Sequence, residues 1–172
     1  NPYIVKTAVS RASKVFHLAA QVAVTTSLVN PVEDFHINIE GTINVLEAMR
    51  GMELPPPLVF TSTNKVYGNL HDIELSPNGK SYIPQLEQVQ HTVIDESQGL
   101  NFYSPYGCSK GSADQYVQDY ARMYNLPAVV FRMSCIYGPH QFGTEDQGWV
   151  AHFAIKALNN DPITVFGDGK QV

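Results

Sequence analysis

Short apolar runs alternate with longer amphipathic stretches along this chain. The short runs are typical of buried strands, and they lie at residues 15–18, 58–62, 129–133 and 163–166. The amphipathic stretches predict helices at residues 31–50, 105–124 and 146–158, with a weaker helical pattern over residues 1–13. This alternation predicts an α/β fold with a doubly wound parallel sheet.

The apolar spacing also predicts which helix faces are buried. The helix that begins at Asn30-Pro31 is expected to bury Phe35, Ile39, Val45, Leu46 and Met49. The helix over residues 105–124 is expected to bury Ala113, Val117, Tyr120 and Tyr124, with Asn125 as a left-handed cap. Residues 68–104 are polar and rich in turn formers, which predicts a long functional loop without regular structure.

Composition and charge narrow the functional classes. The 172 residues carry a net charge of −5, which disfavours a surface that neutralises nucleic-acid phosphates. No apolar run approaches the roughly 20 residues of a membrane helix. Cys108 and Cys135 are too few for a disulfide scaffold and belong to no metal-ligand cluster. We therefore expect a soluble cytoplasmic protein that binds no metal, membrane or nucleic acid.

Small or hydroxyl-bearing residues follow three of the predicted strands. They are Ala19-Ala20, Ser62-Thr63 and Ser134-Cys135. Ligands of open parallel sheets bind beyond the carboxyl ends of the strands, and small side chains there let a flat ligand approach the backbone. The sequence therefore predicts a ligand site at this edge.

Three residues predict redox chemistry on a hydroxyl group. Tyr106 and Lys110 are four residues apart, so they share one face of a helix. An ammonium group beside a phenol lowers the pKa of that phenol, which predicts Tyr106 as a general base. Thr63 could hold the same substrate oxygen. Tyr-x-x-x-Lys alone is a weak pattern, and its position after a Ser-Thr strand end makes it more specific.

Several motifs in order resemble the extended short-chain dehydrogenase/reductases that act on nucleotide-diphosphate sugars. They are His17-Leu18-Ala19-Ala20, Asn38, Gly41-Thr42-x-Asn44-Val45-Leu46-Glu47-Ala48, Thr61-Ser62-Thr63-x-x-Val66-Tyr67-Gly68, Tyr106-x-x-x-Lys110, Arg132-x-x-x-x-Tyr137-Gly138-Pro139 and Gly167-Asp168-Gly169-x-Gln171-Val172. The resemblance covers residues 15–172 and implies a Rossmann-like fold. Asn64 and Lys65 occupy the positions at which the dehydratases of this family carry Asp-Glu. Neither residue can serve as that carboxylate pair, so the resemblance disfavours a dehydratase. The chain is most similar to the CDP-tyvelose (CDP-paratose) 2-epimerases.

The resemblance implies an NAD-dependent epimerase that oxidises a nucleotide sugar to a keto sugar and reduces it again. Its implied catalytic residues are Thr63, Tyr106 and Lys110. Its implied cofactor-binding residues are Leu18, Ala19, Ala20, Asn38, Ser62, Tyr106, Lys110 and Ser134. Its implied substrate-binding residues are Thr63, Asn64, Cys135, Trp149, Phe153 and Val165. The substrate is a nucleotide-diphosphate sugar, CDP-linked by this resemblance, and the full-length protein is expected to be a homo-oligomer.

The chain departs from the family pattern in lacking the glycine-rich turn that holds the cofactor pyrophosphate. The residue that selects NAD over NADP is also absent, so that choice stays open. We expect an internal piece of a longer enzyme, inactive alone, with residues 1–138 as a partial NAD(P)-binding domain. Residues 139–172 would begin the nucleotide-sugar-binding region.

Two alternatives remain open at this point. A UDP-hexose 4-epimerase, or another nucleotide-sugar oxidoreductase, would use the same three catalytic residues and differ in its sugar pocket. A non-catalytic Rossmann-type binding protein would not need Thr63, Tyr106 and Lys110 together. Incubation with CDP-paratose and UDP-galactose distinguishes a 2-epimerase from the first alternative. A Tyr106→Phe variant, which should lose turnover in an enzyme of this kind, distinguishes an enzyme from the second alternative.

Overall fold

The computed structural model describes residues 1–85 and 94–170, and within these ranges helices and strands alternate. The helices are α1 (Pro2–Val9), α2 (Val24–Val29), α3 (Pro31–Phe35), α4 (Gly41–Arg50), α5 (Ser104–Tyr124) and α6 (Trp149–Leu158). The strands are β1 (Val15–His17), β2 (Leu58–Thr63), β3 (Leu75–Pro77), β4 (Tyr82–Pro84) and β5 (Ala128–Met133).

The central sheet is parallel, as the alternating pattern predicted. Its strand order is β1-β2-β5, and the register aligns Val15 with Leu58 and Leu58 with Ala128. Because all three strands run in the same direction, their carboxyl ends lie at one edge. The predicted α/β fold with a parallel sheet is therefore confirmed.

One face of this sheet is covered by helices and holds the apolar core. Leu58 and Phe60 on β2 pack against Leu46 and Met49 of α4 and Val117 of α5, and all five side chains are buried. The opposite face carries exposed apolar side chains, with Phe131 50% exposed and Phe16 64% exposed. The predictions that residues 15–18 and 129–133 form buried strands are wrong, because alternate side chains of β1 and β5 point to this open face.

The helix predicted over residues 31–50 is continuous, but it contains a π-helical turn at His36–Glu40. The amide of Gly41 donates to the carbonyl of His36, so this turn holds one residue more than an α-turn. Asp34 and Asn38 are buried, whereas Phe35 is 48% exposed. The predicted burial of Phe35 is wrong, because polar side chains fill that side.

Three other predictions differ from the structure. Residues 75–84 form an antiparallel hairpin of β3 and β4, so residues 68–104 do not lack regular structure. Residues 163–166 form no strand, because within the described ranges no neighbouring strand pairs with them. Tyr124 is exposed beside the helix end, where Asn125 adopts the predicted left-handed conformation with φ of 54°.

The described residues divide into two compact units. The first consists of Asn1–Gly68 and Asn101–Ile136, and it contains the central sheet with α1 to α5. The second draws on Asn69–Leu100 and Tyr137–Val172, and its described residues include the β3–β4 hairpin and α6. No helix within residues 1–85 and 94–170 combines the length and apolar character needed to cross a membrane.

Candidate functional site

The carboxyl edge of the parallel sheet gathers the residues that the sequence predicted to line a ligand site. Leu18, Ala19 and Ala20 follow β1, Ser62 and Thr63 end β2, and Ser134 and Cys135 follow β5. Ser62 and Thr63 are buried, whereas Leu18, Ala19, Ser134 and Cys135 are exposed. The edge therefore presents small side chains to solvent around a buried pair of hydroxyl groups.

Thr63 and Tyr106 meet at the centre of this edge. Both residues are buried, and the Thr63 hydroxyl lies close enough to the Tyr106 phenol to lower the pKa of that phenol. Thr63 also begins the 3₁₀ turn over Asn64–Tyr67, because its hydroxyl accepts from the amide of Lys65 at 3.2 Å. The end of β2 thus fixes the threonine next to the phenol.

The amino end of α5 is anchored by a neighbouring helix. The amide of Tyr106 donates to the hydroxyl of Ser27 on α2 at 3.1 Å, and Ser27 is completely buried. The first turns of α5 would otherwise leave this amide without an acceptor. Ser27 therefore helps to set the position from which the Tyr106 side chain reaches Thr63.

The pKa of the Tyr106 phenol is raised from its ordinary value, contrary to the sequence-based expectation. Burial is the largest cause, the nearby Thr63 hydroxyl acts in the opposite direction, and the charge of Asp34 raises the pKa further. Lys110 does not lower it here, because its ammonium group is directed elsewhere. The prediction that Lys110 makes this phenol more acidic is therefore wrong for the chain by itself.

Lys110 is buried beneath the sheet edge and is only 4% exposed. Its Nζ donates to the carbonyl of Thr61 at 2.6 Å and lies 4.5 Å from the centre of the Phe60 ring. Burial lowers the pKa of Lys110 to about 8, and the charges of Asp114 and Asp34 partly oppose that effect. The ammonium group is thus fixed next to the strand that carries Thr63.

Asn38 fixes the segment after β1. Its Oδ1 accepts from the amide of Gln21 at 2.9 Å, and its Nδ2 donates to the carbonyl of Gln21 at 3.1 Å and to the hydroxyl of Ser109 at 2.9 Å. One buried amide therefore ties the loop containing Ala19 and Ala20 to α5.

His17 packs under the same loop as a neutral histidine. The Thr42 hydroxyl donates its proton to the carbonyl of Asn38 at 2.6 Å. His17 Nε2 lies 3.0 Å from the Thr42 hydroxyl oxygen and must therefore be the donor in that hydrogen bond. Burial, and to a smaller extent the nearby Lys110, lowers the pKa of His17 to about 4. The interpretation of His17 as a packed core histidine agrees with this geometry.

A buried ion pair lies behind α5 and was not predicted from the sequence. Arg132 on β5 reaches both carboxylate oxygens of Asp114, at 2.9 and 3.1 Å, and donates to the Tyr67 hydroxyl at 3.0 Å. Burial acts to raise the pKa of Asp114, but the bonds from Arg132 lower it overall. This network ties α5 to β5 and to the 3₁₀ turn after Thr63.

The remaining predicted substrate-binding residues are distributed over both units. Asn64 is exposed in the 3₁₀ turn of the first unit. Trp149 and Phe153 lie on α6 of the second unit, where their rings meet edge to face at 5.7 Å. Val165 is exposed and, contrary to prediction, does not lie in a strand. Contact of these residues with a sugar nucleotide stays a prediction.

Sequence reasoning missed the buried carboxylate of Asp34. The usable signal was the polar series Asp34, Asn38 and Thr42, which recurs every four residues in an otherwise amphipathic helix. Such spacing places all three side chains on one side of a helix. A search for apolar spacing does not detect this polar series, although Asn38 bonds to Ser109 on the helix that carries Tyr106 and Lys110.

A sequence model of the NAD dependent epimerase/dehydratase family matches residues 4–172. CDP-paratose 2-epimerase of Salmonella typhi is 49% identical, over 91% of this chain and 47% of that protein. The structure of UDP-glucose 4-epimerase from Thermotoga maritima with UDP-glucose is similar with a TM-score of 0.77 and 30% identity, covering 98% of this chain and 50% of that one. The complex of Thermus thermophilus UDP-glucose 4-epimerase with NAD gives a TM-score of 0.73 and 33% identity, over 96% and 48%. The chain spans about half the length of these relatives.

Proposed function

The chain belongs to the NAD dependent epimerase/dehydratase family, and from that premise we propose that the full-length protein is an NAD-dependent epimerase of a CDP-linked sugar. The reaction inverts the carbon that bears the 2-hydroxyl group, through transient oxidation to a ketone and reduction from the opposite face. The observation that carries this proposal is that Thr63, Tyr106 and Lys110 are all buried at the carboxyl edge of the sheet, with Thr63 close to the Tyr106 phenol and Lys110 bonded to the carbonyl of Thr61. The 49% identity to CDP-paratose 2-epimerase supports this choice of sugar.

The residues at the carboxyl edge of the sheet fit NAD. Exposed small side chains at Ala19 and Ser134 leave the strand ends open to a flat ring, and Leu18 offers an apolar surface next to them. When bound, NAD would supply the acceptor and then the donor of hydride. In this proposal Leu18, Ala19, Ala20, Ser62 and Ser134 line its site, while Asn38 supports the loop from behind.

Proton transfer is assigned to Tyr106. Its phenolate would accept the proton of the sugar hydroxyl as hydride leaves the same carbon, and the resulting phenol would return the proton when hydride is delivered to the other face. Thr63 would donate to the reacting oxygen. With the cofactor bound, the Lys110 ammonium would bind the cofactor ribose and stabilise the phenolate, which it does not do in the chain by itself. Burial raises the pKa of free Tyr106, so the phenolate forms only when positive charge lies nearby.

The sugar nucleotide is assigned to residues at the sheet edge and in the second unit. Thr63, Asn64 and Cys135 would contact the sugar, and Trp149, Phe153 and Val165 would contact the nucleotide part. The edge-to-face rings of the exposed Trp149 and the half-buried Phe153 support this assignment, since aromatic side chains stack on bases and sugars. We retain residues 1–138 and 139–172 as the cofactor-binding and substrate-binding parts.

The test of the chemistry is Tyr106→Phe in the full-length protein. We expect epimerisation to fall by about 10²–10⁴-fold, since the variant lacks the phenolic oxygen that transfers the proton, while thermal stability and NAD content stay unchanged. Tyr116→Phe is the matched control, because Tyr116 lies on the same helix and is exposed. Activity at the wild-type level in Tyr106→Phe would reject Tyr106 as the base.

The test of the substrate compares CDP-paratose with UDP-galactose under identical conditions. Turnover of CDP-paratose alone supports the 2-epimerase. Turnover of UDP-galactose alone would instead assign the protein to the UDP-hexose 4-epimerases, the activity named for the two solved structures above. Turnover of neither sugar, with NAD bound, would reject both assignments.

The proposal includes a homo-oligomer in the cytoplasm. An open groove of about 480 Å³ lies on the outer side of α3 to α5. Four apolar or aromatic residues and two polar ones line it: Phe35, Ile39, Ile43 and Tyr116, with Glu40 and Ser112. A second copy would cover this largely apolar surface. Cys108 and Cys135 are exposed free thiols, which suit a reducing compartment. Light scattering of wild type and Tyr116→Glu tests the oligomer, and a monomeric wild type would reject it.

A further inference from the structure

Arg132 is a largely buried cation whose guanidinium group contacts two other segments of the first unit. Its side chain is 13% exposed, and its Nε and Nη2 donate to the two carboxylate oxygens of Asp114 at 2.9 and 3.1 Å. Its Nη1 donates to the hydroxyl of Tyr67 at 3.0 Å, and its Cζ lies 5.3 Å from the centre of the Tyr67 ring. All three guanidinium nitrogens therefore have fixed acceptors.

Asp114 holds the guanidinium group from the side of α5. It is completely buried, and its Oδ1 also accepts from the side-chain amides of Gln115 and Gln118. The same helix carries Tyr106 two turns before Asp114 and Lys110 one turn before it. The ion pair is thus attached to the element that presents two of the three proposed catalytic residues.

Tyr67 holds the guanidinium group from the side of the turn that follows Thr63. It is buried and is the last residue of the 3₁₀ turn over Asn64–Tyr67, at whose start the Thr63 hydroxyl accepts from the amide of Lys65. Because the turn is only four residues long, its last residue cannot move far without displacing its first. The hydrogen bond from Arg132 to Tyr67 therefore restrains Thr63 as well.

The backbone of this turn is also closely packed. The amide of Asn101 donates to the carbonyl of Val66 at 2.9 Å. Gly68, which follows the turn, has φ of 68°, and a Cβ there would come within 2.3 Å of the carbonyl oxygen of Asn101. A Cβ on Gly107 of α5 would lie 3.4 Å from the carbonyl oxygen of Lys65. The turn thus packs against α5 through backbone atoms, and Arg132 connects the two through side-chain hydrogen bonds.

We infer that Arg132 is a positioning residue for the proposed reaction: its guanidinium group holds the turn after Thr63 against α5 and so sets the position of the Thr63 hydroxyl relative to the Tyr106 phenol. The inference rests on the proposed function for its kinetic readout. Removing an ion pair from water is costly, so a buried pair adds little net stability. A planar guanidinium group with fixed acceptors suits positioning instead, because it permits one arrangement of its partners.

The first test is Tyr67→Phe in the full-length protein, which removes the acceptor of Nη1 and keeps the ring beside the guanidinium group. We expect kcat to fall by about 10-fold or more, since small displacements of catalytic groups slow reactions this strongly. KM should change by less than about twofold, because binding of the nucleotide part is untouched. Tyr3→Phe, at a 78% exposed tyrosine of α1, is the matched control and should alter neither constant. A wild-type kcat in Tyr67→Phe, or a rise in KM as large as the loss in kcat, would overturn the inference.

Arg132→Lys tests the shape of the guanidinium group separately from its charge. A lysine keeps a positive charge near Asp114, but it cannot donate in fixed directions to both Asp114 and Tyr67. We expect kcat to fall about as far as in Tyr67→Phe. Activity at the wild-type level would show that charge alone suffices, and it would contradict a positioning role for this side chain.

A double-mutant cycle tests whether the network acts through Thr63. Thr63→Val removes the hydroxyl group and keeps the size of the side chain. If Tyr67 and Arg132 position that hydroxyl, adding Tyr67→Phe to Thr63→Val should lower kcat by less than about twofold further. A further loss as large as that of Tyr67→Phe alone would attribute its effect to general structural damage and would reject the inference.

A measurement that needs no substrate separates this inference from the proposed function. Hydrogen–deuterium exchange with mass spectrometry reports opening of the turn in peptides that cover residues 64–68, and opening of the apolar core in peptides that cover residues 41–50. Tyr67→Phe should accelerate exchange in the turn by about 10-fold and leave the core unchanged. That result supports the role of Arg132 even if the wild-type protein epimerises neither sugar, in which case the proposed function alone fails. Equal acceleration in both regions, or none in either, would overturn the inference whatever the activity.

Discussion

The helix over residues 31–50 buries two groups of side chains, one apolar and one polar. The apolar layer consists of Val45, Leu46 and Met49 with Leu58 and Phe60 of the sheet. The polar layer consists of Asp34, Asn38 and Thr42 with His17 and Ser109. Both layers are shielded from water. The polar layer reaches the carbonyl of Tyr106 through Ser109, whereas Phe60 of the apolar layer contacts Lys110.

The difference shows what each layer specifies. Apolar contacts are non-directional, so the first layer provides stability and tolerates small shifts in geometry. Each hydrogen bond of the polar layer has a defined donor and acceptor, so that layer fixes the loop after β1 and the start of α5 in one arrangement. We therefore expect substitutions in the apolar layer to change stability and those in the polar layer to change function as well.

The largest effect on stability is expected for Leu46→Ala. Leu46 is completely buried in the apolar layer, and its truncation should lower the free energy of unfolding by about 2–5 kcal/mol. Urea denaturation of the full-length protein measures this, and kcat should stay unchanged in the folded fraction. Leu54→Ala, at an 85% exposed leucine, is the control; an equal loss there would contradict the assignment of Leu46 to the core.

Asn38→Ala should have a smaller effect on stability and a larger one on ligand binding. The change leaves the amide and carbonyl of Gln21 without partners, at a cost of about 1–3 kcal/mol. Because the loop after β1 then loses its anchor, NAD should bind more weakly by calorimetry. Asn69→Ala, in an exposed turn, should alter neither quantity. Unchanged NAD affinity in Asn38→Ala would show that the loop does not need this anchor.

The polar layer should also make stability depend on pH through His17. Its pKa is about 4 in the folded protein against 6.5 for an ordinary histidine, so the unfolded chain takes up the proton first as the pH falls. Stability should therefore drop by about 2 kcal/mol between pH 6.5 and pH 4. His17→Gln, which can still donate to Thr42, should lose this slope, and His71→Gln at an exposed site should keep it. Identical slopes in all three proteins would exclude His17 as the cause.

The smallest effect is expected outside both layers. Asp119 pairs with Arg122 at 3.2 Å on the exposed side of α5, where solvent screens the charges. Asp119→Asn should change the free energy of unfolding by less than about 0.5 kcal/mol. A larger loss by urea denaturation would show that surface charge matters as much as the buried layers.

The apolar layer could be predicted from the sequence, and the polar layer only in part. Leu46, Met49 and Val117 follow the helical period, and β2 is a compact apolar run, so both elements and their core faces were predicted. The same rule placed Phe35 inside, whereas the structure buries Asp34. Periodicity weighs side chains by hydrophobicity and has no means to score hydrogen bonds between distant segments.

The candidate site shows the same division. The positions of Thr63, Tyr106 and Lys110 follow from strand ends and helical spacing, and the structure brings the first two together. The direction of the Tyr106 pKa shift could not be predicted, because burial and the charge of Asp34 depend on tertiary packing. Residues 163–166 illustrate the opposite error, since an apolar run forms a strand only when another strand pairs with it.

The His36–Glu40 turn contains one residue more than a regular α-helical turn. This extra residue sets the angle by which the part of the helix before the turn is rotated relative to the part after it. Deletion of one residue there would restore regular α-helical geometry and rotate the preceding part of the helix by about 100° around the helix axis. Asp34 would swing towards solvent, whereas Leu46 and Met49 would keep their places. Homologues that lack one residue at this turn should consequently expose the residue at the position of Asp34, while their apolar layer keeps the same packing.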